Sequence, residues 1–441
     1  MPQGRFFNVS NADEINALQD ELQPGDCLLM APGEWMDPKI RLEANGTEEA
    51  GFKIYLMPQV FGQTVWRGRV ELFIDGSHLE LRGIWLDGTS ENKAYPINYA
   101  TWTTDVRFTN SAITGFDRAE GDEAGKIVWL RIWGSYHIVD WCEFFDKGTR
   151  GELLQVRAGP DEYPPDASPE SYGHTITRNW FGPRPRTSDG EDGEGIQLGL
   201  KQSDFMDYNC TVEFNLFEDF DGEIECISVK SSNNIVRYNT FRRSACTITL
   251  RHTNRTLVEE NYFFCDGKYF CGGLRMNGWT HVVRNNYIEE QNMDDGTIAG
   301  AVMYAGLSTD DYRDMNGNST IENNLMVNCS RCIVAGWVAR VGGDQPPVDI
   351  RYIGNIMTSR NETDYVFQEI EPGQENPFWQ NNVGWGGIID KEDEYEYGLR
   401  REDPQLEYDP EFQMYRPTAE GMEFDMTYPP LQKEEVGTTW M

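Results

Sequence analysis

No apolar stretch in this 441-residue sequence approaches the roughly 18 residues that a membrane-spanning helix requires. The opening residues, from Met1 to Arg5, also lack the apolar core of a secretory signal peptide. The sequence therefore predicts no transmembrane helix. It is consistent either with a cytoplasmic protein or with one whose leader has been removed and replaced by Met1.

Basic residues are scarce in this chain. Lys and Arg together number 38, against 73 Asp and Glu, and the formal net charge is −35. Such a charge repels nucleic acids and anionic membranes, so neither is an expected partner. It is typical of a strongly solvated surface in a salty environment. Any site for a polyanion must therefore be locally basic against the overall field.

The paired C-x-x-C spacing of a structural zinc site is also absent, although the chain contains nine cysteines. The single Cys329-x-x-Cys332 pair is only a weak signal for metal or redox chemistry. Most of the cysteines are expected to be small core residues. Their odd number leaves at least one thiol free, and the sequence does not define their pairing.

A short internal repeat is the most informative feature of the sequence. Alternating apolar residues are followed by Asn and then by two residues of which the second is apolar. The clear copies centre on Asn179, Asn215, Asn239, Asn261 and Asn286, with looser copies at Asn324, Asn355 and Asn382 and an early one at Asn110. From Asn179 onward the steps are 36, 24, 22, 25, 38, 31 and 27 residues.

This spacing predicts an all-β fold, a single-stranded right-handed parallel β-helix. A base period in the low twenties with insertions fits one solenoid turn, and each phrase alternates like a short strand. The repeated Asn fits a left-handed bend after the strand and can bond from coil to coil. Leucine-rich repeats would need their own leucine spacing, and a propeller blade would need about twice the length.

Two segments are expected to cover this solenoid. Residues 11–22 have the pattern of a capped amphipathic helix, which we predict covers the open N-terminal end. We assign residues 1–390 to the β-helix domain with this cap. Residues 391–441 are acidic and poorly periodic, and we expect them to pack on the solenoid as a C-terminal tail.

The densest chemical signal lies between residues 221 and 232. Glu223 and Glu225 are two apart on a predicted strand, so both should project from one face. Two such carboxylates favour a cation between them, and Ca²⁺ suits hard oxygen ligands. An exposed acidic strand face is the simpler alternative. Lys230 follows at a serine-rich turn.

The repeat suggests that Lys230 belongs to a basic ladder. Lys230, Arg251 and Arg275 lie nine, ten and eleven residues before their respective ladder asparagines. Equal phase in a solenoid means one column, with coils about 4.8 Å apart. Three stacked cations are costly without an anionic partner, so the spacing predicts a groove for a polyanion.

These residues suit β-elimination across C4–C5 of a uronate. The reaction needs a neutralised carboxylate, a base for the C5 proton and a donor for the leaving O4. A bound cation would stabilise the developing enolate. Lys230 would be the base if neighbouring cations depress its pKa. Arg251 would stabilise the leaving oxygen and protonate it, directly or through water.

Several phrases together resemble polysaccharide lyase family six, the alginate lyases and chondroitinase B. They are Gly222-Glu-Ile-Glu225 with Ser228-Val-Lys-Ser231, Leu250-Arg-His252, Gly272-Gly-Leu-Arg275, His281-Val-Val-Arg-Asn-Asn-Tyr287, and the opening Pro24-Gly-Asp26 with Ala31-Pro-Gly-Glu34. The resemblance covers most of the chain. It implies a calcium-assisted lyase of the periplasm or cell exterior that acts on an acidic polysaccharide.

The resemblance also implies residue roles. It makes Lys230 the base, Arg251 the acid, and Glu223 and Glu225 two calcium ligands. The family's third ligand is an Asn, and Glu191 falls roughly at that position, with Glu194 as a competing choice. The family's Leu-Arg-His-Gly reads Leu-Arg-His-Thr253 here, so we expect the loop after Arg251 to differ in shape from that of the family.

We expect Arg275, His252 and His281 to contact the substrate, although each histidine could instead be a buried structural residue. A polygalacturonase-type hydrolase would need an Asp cluster, which the central coils lack. A non-catalytic glycan-binding β-helix would leave the Glu pair in register with a lysine unexplained. Alginate is favoured over dermatan sulfate, because sulfates would ask for additional basic residues. The sequence does not define the oligomeric state.

Overall fold

The structure is a computed structural model of the whole chain. The residues described below are 1–87, 95–116, 126–157, 172–187, 190–200, 203, 206–251, 253–292, 300–306, 316–336 and 345–441. No helix among these residues is long and apolar enough to cross a membrane.

Three long parallel sheets run the length of the described chain, and each coil contributes at most one strand to each sheet. Sheet 1 contains Phe6–Val9, Cys27–Met30, Ile54–Pro58, Leu79–Arg82, Val106–Thr109, Ile138–Asp140, Thr175–Thr177, Thr211–Glu213, Ile235–Arg237, Leu257–Glu259, Val282–Arg284, Thr320–Glu322, Arg351–Ile353 and Phe378–Gln380. Sheet 2 contains Gly33–Met36, Thr64–Arg67, Trp85–Asp87, Ala112–Thr114, Glu143–Phe145, Trp180–Phe181, Leu216–Glu218, Thr240–Arg242, Tyr262–Phe264, Tyr287–Glu289, Leu325–Cys329, Ile356–Ser359, Asn382–Trp385 and Leu399–Arg401. Sheet 3 contains Lys39–Leu42, Glu71–Ile74, Ile97–Tyr99, Leu130–Ile132, Leu154–Val156, Ile196–Leu198, Glu225–Val229, Thr247–Leu250, Leu274–Met276, Val302–Tyr304, Arg331–Ala335, Tyr365–Glu369 and Ile388–Ile389. This topology confirms the predicted parallel β-helix.

The interior is filled by stacks of equivalent side chains from successive coils. In sheet 2 the rings of Phe144, Phe181, Phe217, Phe241 and Phe263 stack with centroids 4.5–5.2 Å apart. All five side chains are buried. The period-two alternation of the strands directs one face inward, so the repeat produces one continuous apolar core.

An asparagine ladder runs along the turn between sheets 1 and 2. Its eight members are Asn179, Asn215, Asn239, Asn261, Asn286, Asn324, Asn355 and Asn382, all fully buried. Each of the first seven amides donates to the amide oxygen of the next asparagine over 2.9–3.0 Å. The same oxygen accepts the backbone N–H of the preceding asparagine. The predicted coil-to-coil bonding is present.

The predicted left-handed bend lies one residue earlier than expected. Positive φ occurs at the residue before the ladder position, as at Arg178, Phe214 and Tyr238. The asparagines are needed for their side chains, because their amides satisfy buried backbone groups of the turn. Asn110 has a φ of 48° itself and is therefore not a ladder residue. Ser111 takes that role and accepts the N–H of Ile84 over 3.0 Å.

The N-terminal helix, Ala12–Ala17, is shorter than the predicted 11–22. Asn11 caps it by accepting the N–H of Glu14 over 3.0 Å. Asn16 then bonds both the carbonyl of Lys39 and the N–H of Arg41 on the first strand of sheet 3. The helix thereby satisfies backbone groups of an open sheet edge, as predicted for a cap.

After residue 390 a last strand, Leu399–Arg401, still pairs with sheet 2. A short helix, Glu392–Tyr395, precedes it. A hairpin of Leu406–Asp409 and Met414–Pro417 and a 3-10 turn at Lys433–Glu435 follow it.

The segment after the hairpin returns along sheet 2 toward the N terminus. The carbonyl of Tyr428 accepts the hydroxyl of Tyr262 over 2.8 Å, and Lys433 contacts Glu143 over 2.8 Å. Near the chain end, the indole N–H of Trp440 donates to the carbonyl of Asn110 over 2.8 Å. The segment thus covers the outer face of sheet 2 across many coils.

Two cysteine pairs are bonded, Cys226–Cys246 and Cys265–Cys271, with Cα atoms 5.4 and 5.5 Å apart. These separations lie in the range of disulfides. The other five are free and buried: Cys27, Cys142, Cys210, Cys329 and Cys332. The expectation of small core cysteines holds for these five, and Cys329 and Cys332 both belong to the apolar core.

We predict that Asn239→Leu lowers the free energy of unfolding by at least about 2 kcal/mol. The change leaves the N–H of Asn215 and the carbonyl of Val212 without buried partners, and each such loss costs about 1–3 kcal/mol. Chemical denaturation measures the effect. Asn8→Ala, in an exposed amide pair with Gln59, is the control and should change stability by less than about 0.5 kcal/mol. Equal effects for the two variants would contradict a stabilising ladder.

Candidate active site

The outer face of sheet 3 carries a straight row of side chains, one from each coil. Backbone register pairs Arg41, Phe73, Asn98, Arg131, Gln155, Gln197, Ser228, Thr249 and Arg275 in succession. We call this row the outer column. Residues on either side of each member point into the apolar core, so alternation directs the column outward.

A β-bulge places one carboxylate beside this column. The pairing of Glu225–Val229 with the next strand shifts between Glu225 and Ile227. The extra residue, Cys226, stays in the core, and Glu225 therefore faces outward with Ser228. The Ser228 hydroxyl donates to Glu225 Oε2 over 2.5 Å.

Three glutamates converge at this point, and we call Glu194, Glu223 and Glu225 the acid cluster. One carboxylate oxygen from each lies within 4.8 Å of the others, and all three residues are at least 95% buried. Glu223 lies in the bend before the strand, and Glu194 comes from the preceding coil. The predicted proximity of Glu223 and Glu225 is present.

Glu194, and not Glu191, is the third member of the acid cluster. Glu191 is exposed, and its carbonyl accepts the hydroxyl of Thr187. Glu194 lies directly before Ile196–Leu198, the strand that pairs with Glu225–Val229. The sequence favoured Glu191 and left Glu194 as the competing choice, because a three-residue offset in an irregular loop carries no periodicity.

Three cations surround the acid cluster. Lys230 Nζ lies 3.4 Å from Glu194 Oε1, and both are largely buried. Glu225 Oε1 lies 3.8 Å from an Arg251 nitrogen and 3.7 Å from an Arg275 nitrogen. The basic ladder is therefore neutralised in part by the protein's own carboxylates.

The three cations do not form one column. Lys230 and Arg251 each come directly after the last residue of a strand. These last residues, Val229 and Leu250, are paired, so Lys230 and Arg251 occupy the same position in successive coils. Arg275 lies inside its strand and pairs with Thr249, two positions earlier. Its guanidinium nevertheless reaches Glu225, because the long side chain spans the offset. The offset of two positions matches the difference between the nine and eleven residues that separate Lys230 and Arg275 from their asparagines, so these two residues do not share a phase.

Two glutamine amides, which were not predicted from the sequence, orient the carboxylate of Glu194. Gln155 Nε2 donates to Gln197 Oε1 over 2.8 Å, and Gln197 Nε2 donates to Glu194 Oε1 over 3.0 Å. The first bond fixes which end of the Gln197 amide faces Glu194. Both glutamines are outer-column residues and are buried. Their equal position in successive coils was the available sequence signal.

The three carboxyl groups of the acid cluster have different pKa values. Burial, with the charges of Glu194 and Glu225, raises the pKa of Glu223 to about 10. Burial, with Glu152 nearby, raises the pKa of Glu194 to about 7. Burial also opposes the charge of Glu225, but Lys230, Arg275 and Arg251 outweigh it and lower the pKa of that carboxyl. At neutral pH the cluster would accept further positive charge.

The pKa of Lys230 is raised, which contradicts the expectation that neighbouring cations depress it. Burial disfavours the charged amine, but Glu225 and Glu194 outweigh burial and the opposing charge of Arg251. Burial lowers the pKa of Arg275. The carboxylates dominate at Lys230 because Glu194 lies at contact distance.

His281 is buried, which contradicts its predicted contact with the substrate. It is 1% exposed, its Nδ1 accepts the N–H of Thr256 over 3.2 Å, and its Nε2 lies 3.2 Å from the Asn277 carbonyl. Burial lowers the pKa of His281 to about 4, so the ring is neutral. His281 is therefore a buried structural residue, which was the alternative to a substrate contact. His252 lies outside the described residues.

The class of protein that this fold and site define is a parallel β-helix with an acid cluster and three cations on one outer face. A family model described as chondroitinase B matches residues 9–342. The chain therefore belongs to the chondroitinase B family, as the sequence resemblance predicted. None of the curated proteins compared with the chain matches it.

Solved structures share the fold over nearly the whole chain. An alginate lyase of polysaccharide lyase family 6, AlyGC, has a TM-score of 0.85 at 25% identity. The match covers 99% of this chain but 59% of that one, so the chain spans little more than half of that relative's length. A family 6 alginate lyase in complex with a trisaccharide has a TM-score of 0.79 at 22% identity, covering 99% and 95%. A family 6 polysaccharide lyase from Pseudopedobacter saltans has a TM-score of 0.74 at 22% identity, covering 99% of each chain.

Proposed function

We propose that this protein is a polysaccharide lyase that cleaves alginate by calcium-assisted β-elimination and leaves an unsaturated uronate end. The observation that carries the proposal is the acid cluster within contact distance of Lys230 and near Arg251, on adjacent coils. Membership of the chondroitinase B family supports the same reaction class.

The acid cluster fits a hard divalent cation. Three carboxylate oxygens within 4.8 Å of one another are the donor set that Ca²⁺ prefers. Glu194 Oε2 is buried and has no hydrogen-bond partner among the described residues. Glu223, Glu225 and Glu194 would hold the ion, with Glu194 in the role that the sequence analysis assigned to Glu191. Bound Ca²⁺ would stabilise the enolate that develops on the substrate carboxylate.

Lys230 and Arg251 then divide the proton transfers between them. The neutral amine of Lys230 takes the C5 proton, the C5–H electrons form the C4–C5 double bond, and the C4–O4 bond breaks. Arg251 returns a proton to O4, directly or through water. With their charge neutralised by a bound cation, Glu194 and Glu225 would no longer favour the protonated form of Lys230.

Arg275 would hold a substrate carboxylate at the same point. Its side chain is 11% exposed, and a guanidinium nitrogen lies 3.7 Å from Glu225 Oε1. A cation at the acid cluster would compete for Glu225 and leave Arg275 available to an anionic sugar.

The substrate preference is alginate, with dermatan sulfate as the second candidate. Solved relatives described as alginate lyases support the first, and the family description, chondroitinase B, supports the second. The test offers alginate, its two homopolymer blocks and dermatan sulfate, and follows the near-ultraviolet absorbance of the unsaturated product. A hydrolase or a non-catalytic glycan-binding protein would produce no such absorbance.

The location and domain organisation are part of the same proposal. We propose that the protein acts in the periplasm or outside the cell, which the two cysteine pairs support, because disulfides persist in oxidising compartments. We propose residues 1–390 as the β-helix domain and 391–441 as a C-terminal segment packed on it. The contact between Lys433 and Glu143 supports that packing.

We predict that Lys230→Ala reduces turnover of the preferred polymer by at least about 100-fold, because general-base catalysis contributes about 10²–10⁴. The fold and polymer binding should be nearly unchanged, as judged by the melting temperature and by affinity electrophoresis. Lys391→Ala, at a partly exposed ion pair with Glu369, is the control and should keep full activity. More than a tenth of the wild-type rate in Lys230→Ala would remove Lys230 from this role.

We predict that chelation lowers activity and that added Ca²⁺ restores it. Glu223→Gln and Glu225→Gln should each mimic chelation, because an amide keeps the shape but removes one ligand charge. Glu194→Ala should weaken calcium binding measured by calorimetry, whereas Glu191→Ala, outside the acid cluster, should leave it unchanged. Full activity of exhaustively chelated enzyme, with no metal found by elemental analysis, would contradict the calcium mechanism.

A further inference from the structure

A concave site lies on the same sheet as the acid cluster, several coils away from it. A cavity of about 440 Å³ opens over the first three strands of sheet 3. We call it the distal cavity. The residues relevant here are Asn16, Lys39, Arg41, Phe73, Tyr95 and Asn98. None of the residues assigned to the elimination lines it.

The outer column connects the distal cavity to the acid cluster. Asn98 lies at one end of this stretch, Ser228 lies at the other, and four strand-to-strand steps separate them. At about 4.8 Å per step the two residues are about 19 Å apart along the helix axis. Arg131, Gln155 and Gln197 between these ends are buried. A linear polymer that extends from the acid cluster to the distal cavity would therefore pass over the residues that cover them.

Two aromatic rings give the distal cavity an apolar surface suited to a sugar ring. The guanidinium of Arg131 stacks on Tyr95, 4.2 Å from the ring centroid, and also on Trp133 at 4.9 Å. That of Arg41 lies 5.2 Å from the Phe73 centroid. These contacts hold the rings in place. Tyr95 remains 36% exposed, so part of its ring is available to a ligand.

Polar groups in the distal cavity match hydroxyl and carboxylate groups. Asn98 Oδ1 has no hydrogen-bond partner among the described residues, and a sugar hydroxyl would supply the missing donor. The Lys39 side chain is 62% exposed, and its ammonium lies 3.9 Å from Glu71. An ion pair this long and exposed is weak, so an anionic sugar could replace Glu71 as the partner of Lys39. Arg41 is already paired with Glu43 and Asp75. Stacking and Asn98 therefore contribute more to recognition than net charge does.

We propose that the distal cavity is a binding subsite for a uronate unit of the same polymer, several units away from the bond that is cleaved. This inference rests on the proposed function, because it takes its ligand from the substrate at the acid cluster. It implies that long chains bind more tightly than short ones, since only a long chain occupies both sites.

Binding is tested by affinity electrophoresis in gels with and without alginate or dermatan sulfate, in a Lys230→Ala background that prevents cleavage. We expect Tyr95→Ala and Phe73→Ala to weaken retardation by the preferred polymer about three- to tenfold. Tyr95→Phe keeps the ring and should behave as the parent. Tyr397→Ala, which removes a ring 72% exposed near the opposite end, should also change nothing. Melting temperatures verify that each variant is folded.

Kinetics of the same changes with Lys230 intact separate the subsite from the catalytic group. We expect Tyr95→Ala to raise KM for the polymer with kcat unchanged and to leave kcat/KM for a trisaccharide unchanged. Equal losses on both substrates, or no loss on either, would overturn the subsite. Retardation of the Lys230→Ala parent, together with no unsaturated product from the enzyme that keeps Lys230, would overturn the proposed function alone. No retardation of the parent by either polymer would overturn the subsite.

Discussion

The coil-to-coil register of parallel strands is the constraint on which the rest of this structure depends. Each residue has a fixed partner about 4.8 Å above and below it, so any side chain repeated in phase becomes a continuous row. Phenylalanines in phase form the interior stack, and asparagines in phase form the buried ladder. The ladder also satisfies turn backbone groups that water cannot reach, which keeps the register from slipping.

The same register creates the chemistry by bringing charges from neighbouring coils together. Glu194, Glu225 and Arg275 come from three different coils. The strand after Glu194 is hydrogen-bonded to the strand of Glu225, and the long side chain of Arg275 reaches Glu225 from two strands further on. Carboxylates buried this close raise the pKa of Glu223 and leave the acid cluster able to accept a cation. The cost of burying these charges is offset by Lys230 and the two arginines and by the hydrogen bonds from Gln197 and Ser228.

Two further features bear on where the site lies in the fold. The C-terminal segment covers sheet 2, leaving the outer face of sheet 3 to the acid cluster and the distal cavity. The bond between Cys226 and Cys246 joins two coils that carry Glu225 and Arg251.

The sequence by itself determined the architecture and most of the site's membership. A period of about 22–25 residues with Asn in phase admits few folds, and Glu223, Glu225, Lys230 and Arg251 were readable because they lie in or next to regular strands. Only the tertiary structure decided the positions of side chains that lie in or next to irregular backbone. The bulge at Cys226 turned Glu225 outward, a loop brought in Glu194 instead of Glu191, and His281 was buried in a turn. Periodicity predicts which residues share a row, but a bulge or an insertion changes the phase without leaving a periodic trace, and contact across coils then selects the neighbours.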